Sequence, residues 1–210
     1  MTATIDHLVY ACPDLEQAVA RFADLAGVHA AAGGQHPGLG THNALLSLGE
    51  RTYLEIIAPD PGQQTAATAL PYGLGELAEP GLRGWAVAPA DLDAAVRQSH
   101  AAGFDYGPVV TRERRTAGGE VIRWRMTTYP HDSAVAVAPF LIDWARTPHP
   151  AAAAPNGLAL QELVICSPEP SQLARRLRVL GLDLQIEQAA RPALRAVLTG
   201  PHGKRIELGC

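Results

Sequence analysis

Histidine and glutamate side chains in two apolar stretches are the first candidates for chemistry. His7 lies in the segment IDHLVYAC, and Glu55 lies in the segment TYLEIIAP. Side chains alternate between the two faces of a strand, so Glu55 shares a face with Tyr53 and Ile57, and His7 shares one with Val9. If both faces line one cavity, an imidazole and a carboxylate converge there. That pair suits a divalent transition metal such as Zn²⁺, Ni²⁺, Mn²⁺ or Fe²⁺.

A glycine-rich segment, HPGLGTHN, runs from His36 to Asn43. A phosphate-binding loop needs a helix directly behind it, whereas this segment leads into a strand and lacks a GK[ST] motif. One interpretation is a tight turn with Gly38 and Gly40 at positive φ. The other is that His42 and Asn43 face a pocket and hydrogen-bond a ligand.

A predicted hairpin carries a cluster of arginines. They are Arg112, Arg114, Arg115, Arg123 and Arg125. Arg123 and Arg125 share one face of their strand, and Trp124 lies on the other. A charged strand face is usually solvated. The alternative is that Arg123 binds an anionic group of a substrate, for which the planar guanidinium is well suited.

Length and composition exclude several classes of protein. The chain has 210 residues, of which 47% are apolar and 18% charged, and its formal net charge is −4. These values are typical of a folded globular protein and not of a dedicated nucleic-acid-binding protein, which would carry a basic surface. No apolar run reaches the roughly 18 residues of a membrane span, and no secretory signal is visible. Three cysteines without a CxxC motif argue against a disulfide framework and favour the cytoplasm.

The chain contains an internal repeat. Three segments, each an apolar strand followed by a capping residue and an amphipathic helix, place His7, Gly84 and Glu162 at equivalent positions, 77 and then 78 residues apart. Three strand-like stretches separated by Gly, Pro and Asn follow each helix. Each unit is therefore predicted to be β-α-β-β-β, and the fold class to be α+β.

The predicted units span residues 1–60, 82–147 and 158–210. The linker at 61–81 joins the first two units. The Pro- and Ala-rich segment 148–157 has too many prolines for a helix, and we expect it to be an exposed tether.

Tandem β-α-β-β-β units resemble the vicinal oxygen chelate superfamily, which includes glyoxalase I, extradiol dioxygenases and bleomycin-resistance proteins. The segments 36–43, 53–60 and 139–144 are similar to the glyoxalase-like domain subfamily. The resemblance covers nearly the whole chain and implies curled mixed sheets in which paired units close a cup. It does not name a substrate, because this fold hosts many chemistries.

In that superfamily the metal ligands come from the first and the last strand of each unit. The resemblance therefore implies His7 and Glu55 from the first unit, and Glu162 and Glu207 from the third. These four residues would form a complete metal shell if the first and third units pair.

The second unit departs from the pattern, because Gly84 and Ile142 occupy its matching positions. Asp143 is adjacent to Ile142, but a one-residue offset places it on the opposite strand face. If the first and second units form the cup, only two ligands remain, and the site is weak or empty. Extradiol dioxygenase activity is not expected, since its iron site needs a second histidine.

Two functions from different classes follow. The first is a metal-dependent lyase or isomerase acting on a small oxygenated substrate, in which Glu207 or Glu162 leaves the metal to act as the base. The alternative is a metal-free binding protein that sequesters an apolar or aromatic small molecule in a cup around Ile142, Phe140 and Trp144, as bleomycin-resistance relatives do. Tyr53 is a further candidate substrate-binding residue. The third unit is expected to pack beside the cup or to pair with its copy in a homodimer.

Overall fold

The computed structural model describes residues 2–116, 118–128 and 135–209. The third cysteine, Cys210, lies outside these residues. In chain order all three units are β-α-β-β-β, which confirms the predicted α+β class.

The first and second units contribute eight strands and two helices. Those of the first unit are β1 (Thr4–Ala11), α1 (Leu15–Ala26), β2 (Ala31–His36), β3 (Thr41–Gly49) and β4 (Thr52–Pro59). Those of the second unit are β5 (Gly81–Ala88), α2 (Leu92–Ala101), β6 (Val109–Arg115), β7 (Val121–Thr127) and β8 (Phe140–Asp143). The eight strands close a barrel in the order β1-β4-β3-β2-β6-β7-β8-β5. The cup is therefore built from the first and second units.

The third unit forms a separate four-stranded sheet. Its elements are β9 (Ala159–Ser167), α3 (Pro170–Val179), β10 (Gln185–Gln188), β11 (Ala193–Thr199) and β12 (Arg205–Leu208). Their order in the sheet is β10-β9-β11-β12. The second strand, not the last, pairs in parallel with the first, so the last strand lies two positions away from β9. This arrangement differs from that of the first two units, although the order along the chain is the same.

Two apolar clusters account for the burial of the barrel strands. In β1, Leu8 and Tyr10 face an outer core shared with the helices and the third sheet, whereas Val9 and Ala11 face an inner core inside the barrel. A strand buried on both faces has a nearly continuous apolar sequence. The third unit covers the outside of the barrel and does not close the cup.

The helices begin where the sequence supplies a cap. Asp14 accepts a hydrogen bond from the backbone of Gln17 at the start of α1, and Asp91 does the same for Ala94 in α2. Gly27 ends α1 at φ 68°. The longest described helix has 12 residues, and none of them is long and apolar enough to cross a membrane.

The segment 148–157 is not the exposed tether that its prolines suggest. A short 3₁₀ helix, Pro150–Ala152, places Ala151 in the inner core, and Ala154 is buried there as well. The segment is therefore partly buried and packs two alanines against the inner core of the barrel.

Candidate functional site

The barrel encloses a cavity of about 300 Å³. Its polar lining comprises His7, His36, Asn43, Glu55, Arg112 and Arg114. Its aromatic lining comprises Tyr53, Tyr72, Trp124, Phe140 and Trp144. Both barrel units and the linker between them contribute, so the complete barrel is needed to form the cavity.

Asp6 is fully buried beside His7 because β1 carries a bulge. In the antiparallel pairing of β1 with β5, Ile5 lies opposite Val87 and His7 opposite Ala86, so Asp6 is the extra residue. A bulge lets two successive side chains depart from strict alternation. The Asp6 carboxylate can thus reach the His7 ring, and the two residues act as a pair.

Three donors surround the Asp6 carboxylate. His7 Nδ1 lies 2.6 Å from Oδ1, and the ring nitrogens Trp144 Nε1 and His149 Nε2 each lie 3.0 Å from Oδ2. Burial by itself would raise the pKa of Asp6, but the hydrogen bonds and charges of His149 and His7 outweigh it and lower the pKa to about 2. Asp6 is therefore an anion at neutral pH.

The Asp6 anion orients both neighbouring histidine rings. His149 Nε2 faces Asp6, while its Nδ1 accepts from the Ala151 backbone N–H at 3.2 Å. His7 faces Asp6 through Nδ1, so Nε2 is its other ring nitrogen in a residue that lines the cavity.

A second polar chain links Glu55 to Arg114. Asn43 Nδ2 donates to Glu55 Oε1 at 2.6 Å, and Arg114 Nη1 donates to Asn43 Oδ1 at 3.1 Å. His7 Nε2 lies 3.8 Å from Glu55 Oε2. Burial lowers the pKa of Arg114, against the opposing effects of Tyr53 and Glu55. A guanidinium thus balances the buried Glu55 carboxylate through one amide.

His36 completes the polar wall. Its Nδ1 lies 2.9 Å from Thr41 Oγ1, and its Nε2 lies 3.8 Å from Glu55 Oε1. Burial lowers the pKa of His36, although the nearby Glu55 charge opposes this. His36 is accordingly a neutral ring at pH 7.

Aromatic rings form the rest of the cavity. Tyr53 stacks on His7 with ring centroids 4.6 Å apart, and Phe140 meets the same ring edge-on at 5.3 Å. Trp124 and Trp144 lie 5.3 Å apart. These flat apolar surfaces suit a ligand with a planar apolar part.

At the positions that match His7 and Glu55, the second unit carries no side chain that could bind a metal. A Cβ at Gly84 would lie 3.0 Å from Cε1 of Tyr72, whose ring comes from the linker with φ 57°. Ile142 lines the cavity, and Asp143 lies on the other face of β8, 3.8 Å from Arg125. Tyr72 thus fills the position where the first unit presents His7.

The structure does not bring the four expected metal ligands together. His7 and Glu55 line the barrel cavity, whereas Glu162 and Glu207 are exposed on the third sheet. Those two residues flank Val197 of β11, and Glu207 pairs with Arg205 at 2.9 Å. The four-ligand metal site does not form, because the third unit packs outside the barrel and its last strand, β12, is not adjacent to its first strand, β9.

The residues that remain in the cavity do not fit a divalent metal. Within residues 2–116, 118–128 and 135–209, no three His, Cys, Asp or Glu side chains are placed to hold an ion. His7 and His36 approach opposite oxygens of Glu55, and one of these oxygens already accepts from Asn43. The Arg114 cation behind Asn43 further disfavours a second positive charge.

The family assignment follows from the match of residues 5–181 to the family described as "Glyoxalase-like domain". This chain belongs to the glyoxalase-like domain family. The resemblance to the vicinal oxygen chelate superfamily is thereby confirmed.

A solved structure with a TM-score above 0.5 shows the same fold as this glyoxalase-like protein. A hypothetical protein from Staphylococcus aureus aligns over 98% of this chain and 85% of its own, with 17% identity and a TM-score of 0.64. Methylmalonyl-CoA epimerase from Mycobacterium tuberculosis aligns over 70% of this chain and 91% of its own, with 24% identity and a TM-score of 0.46. A search of curated proteins finds no match.

The remaining candidate residues of the glyoxalase-like protein divide between the cavity and the outside. Asn43, Tyr53, Phe140 and Trp144 line the cavity. His42 lies on the opposite strand face from Asn43. Arg123 is exposed and pairs with Glu113 at 3.0 Å, so it points away from the cavity. Binding of a substrate by the cavity residues stays a prediction.

Several site residues were not expected from the sequence. They are Asp6, His36, Tyr72, Arg114 and His149. Regular alternation would place the side chains of Asp6 and His7 on opposite faces of β1, and only the bulge brings them together. His149 lies in a proline-rich segment that predicts exposure. The sequence signal for Arg114 is its place in the arginine cluster, because strand alternation puts Arg114 and Arg115 on opposite faces of the strand.

Replacing Gly33 by alanine should loosen the polar wall of the site. A Cβ at Gly33 would collide with Asn43 Oδ1 and Arg114 Nη1. We expect Gly33→Ala to lower the free energy of unfolding by about 1–3 kcal/mol, the typical cost of overpacking. Urea unfolding measures this. Gly81→Ala is the matched control, since a Cβ there meets open space, and an equal loss in both variants would contradict the prediction.

Proposed function

We propose that this glyoxalase-like protein is a metal-independent proton-transfer enzyme, of isomerase or lyase type, that acts on a small oxygenated compound. The observation that carries the proposal is the buried Asp6–His7 pair. His7 Nδ1 lies 2.6 Å from Asp6 Oδ1, and in the proposed mechanism Asp6 holds the proton on this nitrogen and leaves Nε2 unprotonated. This is the arrangement of a general base that is oriented by a carboxylate.

In the proposed reaction, His7 Nε2 accepts a proton from a carbon next to a substrate carbonyl. The electron pair of the broken C–H bond moves onto the carbonyl oxygen and forms an enolate. Asp6 and Glu55 stabilise the imidazolium, since Glu55 Oε2 lies 3.8 Å from Nε2. Return of the proton to a different atom or face gives isomerisation, and loss of a neighbouring leaving group gives elimination.

The hydroxyls of Tyr53 and Tyr72 are the proposed hydrogen-bond donors to the enolate oxygen. Burial raises the pKa of Tyr53 and of Tyr72, and both residues line the cavity. Both phenols are therefore protonated at neutral pH and can donate a hydrogen bond to a developing negative charge.

The second candidate is metal-free binding without reaction. The stacked and edge-on rings around the cavity favour it, because they suit retention of a flat apolar molecule. In that case the Asp6–His7 pair only hydrogen-bonds the ligand.

Exchange of substrate C–H hydrogens for deuterium distinguishes the enzyme from the binding protein. The protein is dialysed against a chelator and incubated in D₂O with phenylacetone or phenylpyruvate, whose C–H signals next to the carbonyl are followed by proton NMR. We expect exchange faster than in buffer, with no increase on addition of Zn²⁺, Ni²⁺ or Mn²⁺. Exchange that requires one of these ions would overturn the metal-independent mechanism. Ligand binding without exchange would support sequestration instead.

A further inference from the structure

We infer that the ligand of this cavity carries a carboxylate next to a flat apolar group, and that Arg112 and Arg114 bind the carboxylate. This inference rests on the proposed function, since it names the substrate class of the same site. It depends on four observations: the direction of the two arginines, their partners, the charge of the cavity and the neighbouring ring.

Arg112 and Arg114 face the barrel interior. They are two residues apart on β6, and both line the cavity. Arg114 is 7% exposed, and Arg112 is half-buried nearer the mouth. The intervening Glu113 pairs outside the barrel with Arg123. The alternation of one strand thus directs two guanidinium groups inward.

The inward arginines lack the carboxylate partners that their outward neighbours have. Arg123 pairs with Glu113 at 3.0 Å, and Arg125 lies 2.6 Å from Asp93. The side chain of Arg112 makes no hydrogen bond or ion pair within the part of the chain that the structure describes. Arg114 bonds Asn43 through Nη1, while its buried Nε has no partner among the same residues. Buried donors without a partner are rare, which makes the Arg114 Nε a candidate for contact with a ligand.

The charge balance of the cavity also favours an anion. Arg114 already balances Glu55 through Asn43, and three donors surround Asp6. Among residues 2–116, 118–128 and 135–209, no carboxylate pairs with the Arg112 guanidinium. A carboxylate on the ligand supplies that negative charge and matches the planar fork of a guanidinium with two parallel hydrogen bonds.

The apolar half of the ligand is indicated by Trp124. In the hairpin of β6 and β7, Arg112 lies directly opposite Trp124, and opposite residues in an antiparallel pair point to the same face. Trp124 and Arg112 therefore share a strand face, and both line the cavity. A small aryl-containing carboxylic acid fits this combination of an aromatic wall and a cation.

Phenylacetate and phenylacetamide test the inference, because they share a ring and differ in charge. Their dissociation constants are measured by NMR titration with the wild type, Arg112→Gln and Arg115→Gln. We expect phenylacetate to bind the wild type about tenfold or more tightly than the amide, as for a hydrogen bond to a charged group. Arg112→Gln should abolish this preference. Arg115→Gln, an exposed position on the same strand, should retain it.

Equal affinity for acid and amide, or an equal effect of the two arginine variants, would overturn the inference. Failure of the carboxylate site can be distinguished from failure of the proposed proton transfer. Exchange of neutral phenylacetone without any preference for phenylacetate leaves proton transfer standing and removes the anion site. Binding of phenylacetate that depends on Arg112, without exchange of phenylpyruvate, leaves the anion site standing and removes proton transfer.

Discussion

His7→Gln should reduce proton transfer by about 10²–10⁴-fold, the usual contribution of a general base. Glutamine can still donate a hydrogen bond to Asp6, but it has no basic nitrogen to accept a proton from carbon. The measurement is the rate of C–H exchange in D₂O, with phenylacetate affinity measured beside it. We expect that affinity to change much less than the rate, because the aromatic wall and the arginines are untouched.

Glu162→Gln is the matched control for His7→Gln. Glu162 is exposed on the third sheet, and its replacement should leave both exchange and affinity unchanged. If exchange survives in His7→Gln and disappears in Glu55→Gln, the base is Glu55 and not His7. If Glu162→Gln abolishes exchange, the third sheet takes part in the reaction, and assignment of the site to the barrel alone is wrong.

Asp6→Asn should impair both stability and reaction. An amide can accept from Trp144 and His149 through its oxygen, but its NH₂ group then faces His7 Nδ1. That contact favours the His7 tautomer with the proton on Nε2, which cannot act as a base. We expect proton transfer to fall by about 10²-fold or more, as when a His tautomer is misassigned in a catalytic triad. The free energy of unfolding should fall by about 2–3 kcal/mol through loss of a buried hydrogen-bonded charge.

The stability lost in Asp6→Asn should depend on pH. Because the folded-state pKa of Asp6 is lowered from 3.8 to about 2, its ionised form stabilises the fold above about pH 4. This contribution, about 2 kcal/mol, disappears as the pH falls through 2. The free energies of unfolding of the wild type and of Asp6→Asn are measured with urea at pH 7, 4 and 2.5. We expect the difference between the two proteins to become smaller only at pH 2.5. A difference that is constant with pH would mean that Asp6 is not the buried anion.

The alternation of apolar residues and the repeat were enough to predict the element order of each unit, whereas the family was predicted from the resemblance of these units and of segments such as 36–43 to known proteins. Each β-α-β-β-β unit is encoded locally, in strand patterns and in caps such as Asp14 and Asp91. The same alternation directs His7 and Glu55 to one cavity, because both belong to strands of a single unit. Local patterns are readable when neighbouring residues supply the interactions.

Which units pair, and what fills the cavity, was decided only by the tertiary structure. Glu162 and Glu207 match the repeat in sequence, but the strand order of the third sheet depends on long-range pairing that no local pattern specifies. Asp6 enters the site through a bulge against β5. His149 enters it because its segment packs against Asp6, although the two residues are 143 positions apart in the sequence. The residue types available for chemistry were therefore set by the sequence. Their grouping into an Asp6–His7 pair beside two inward arginines came from contacts between distant strands.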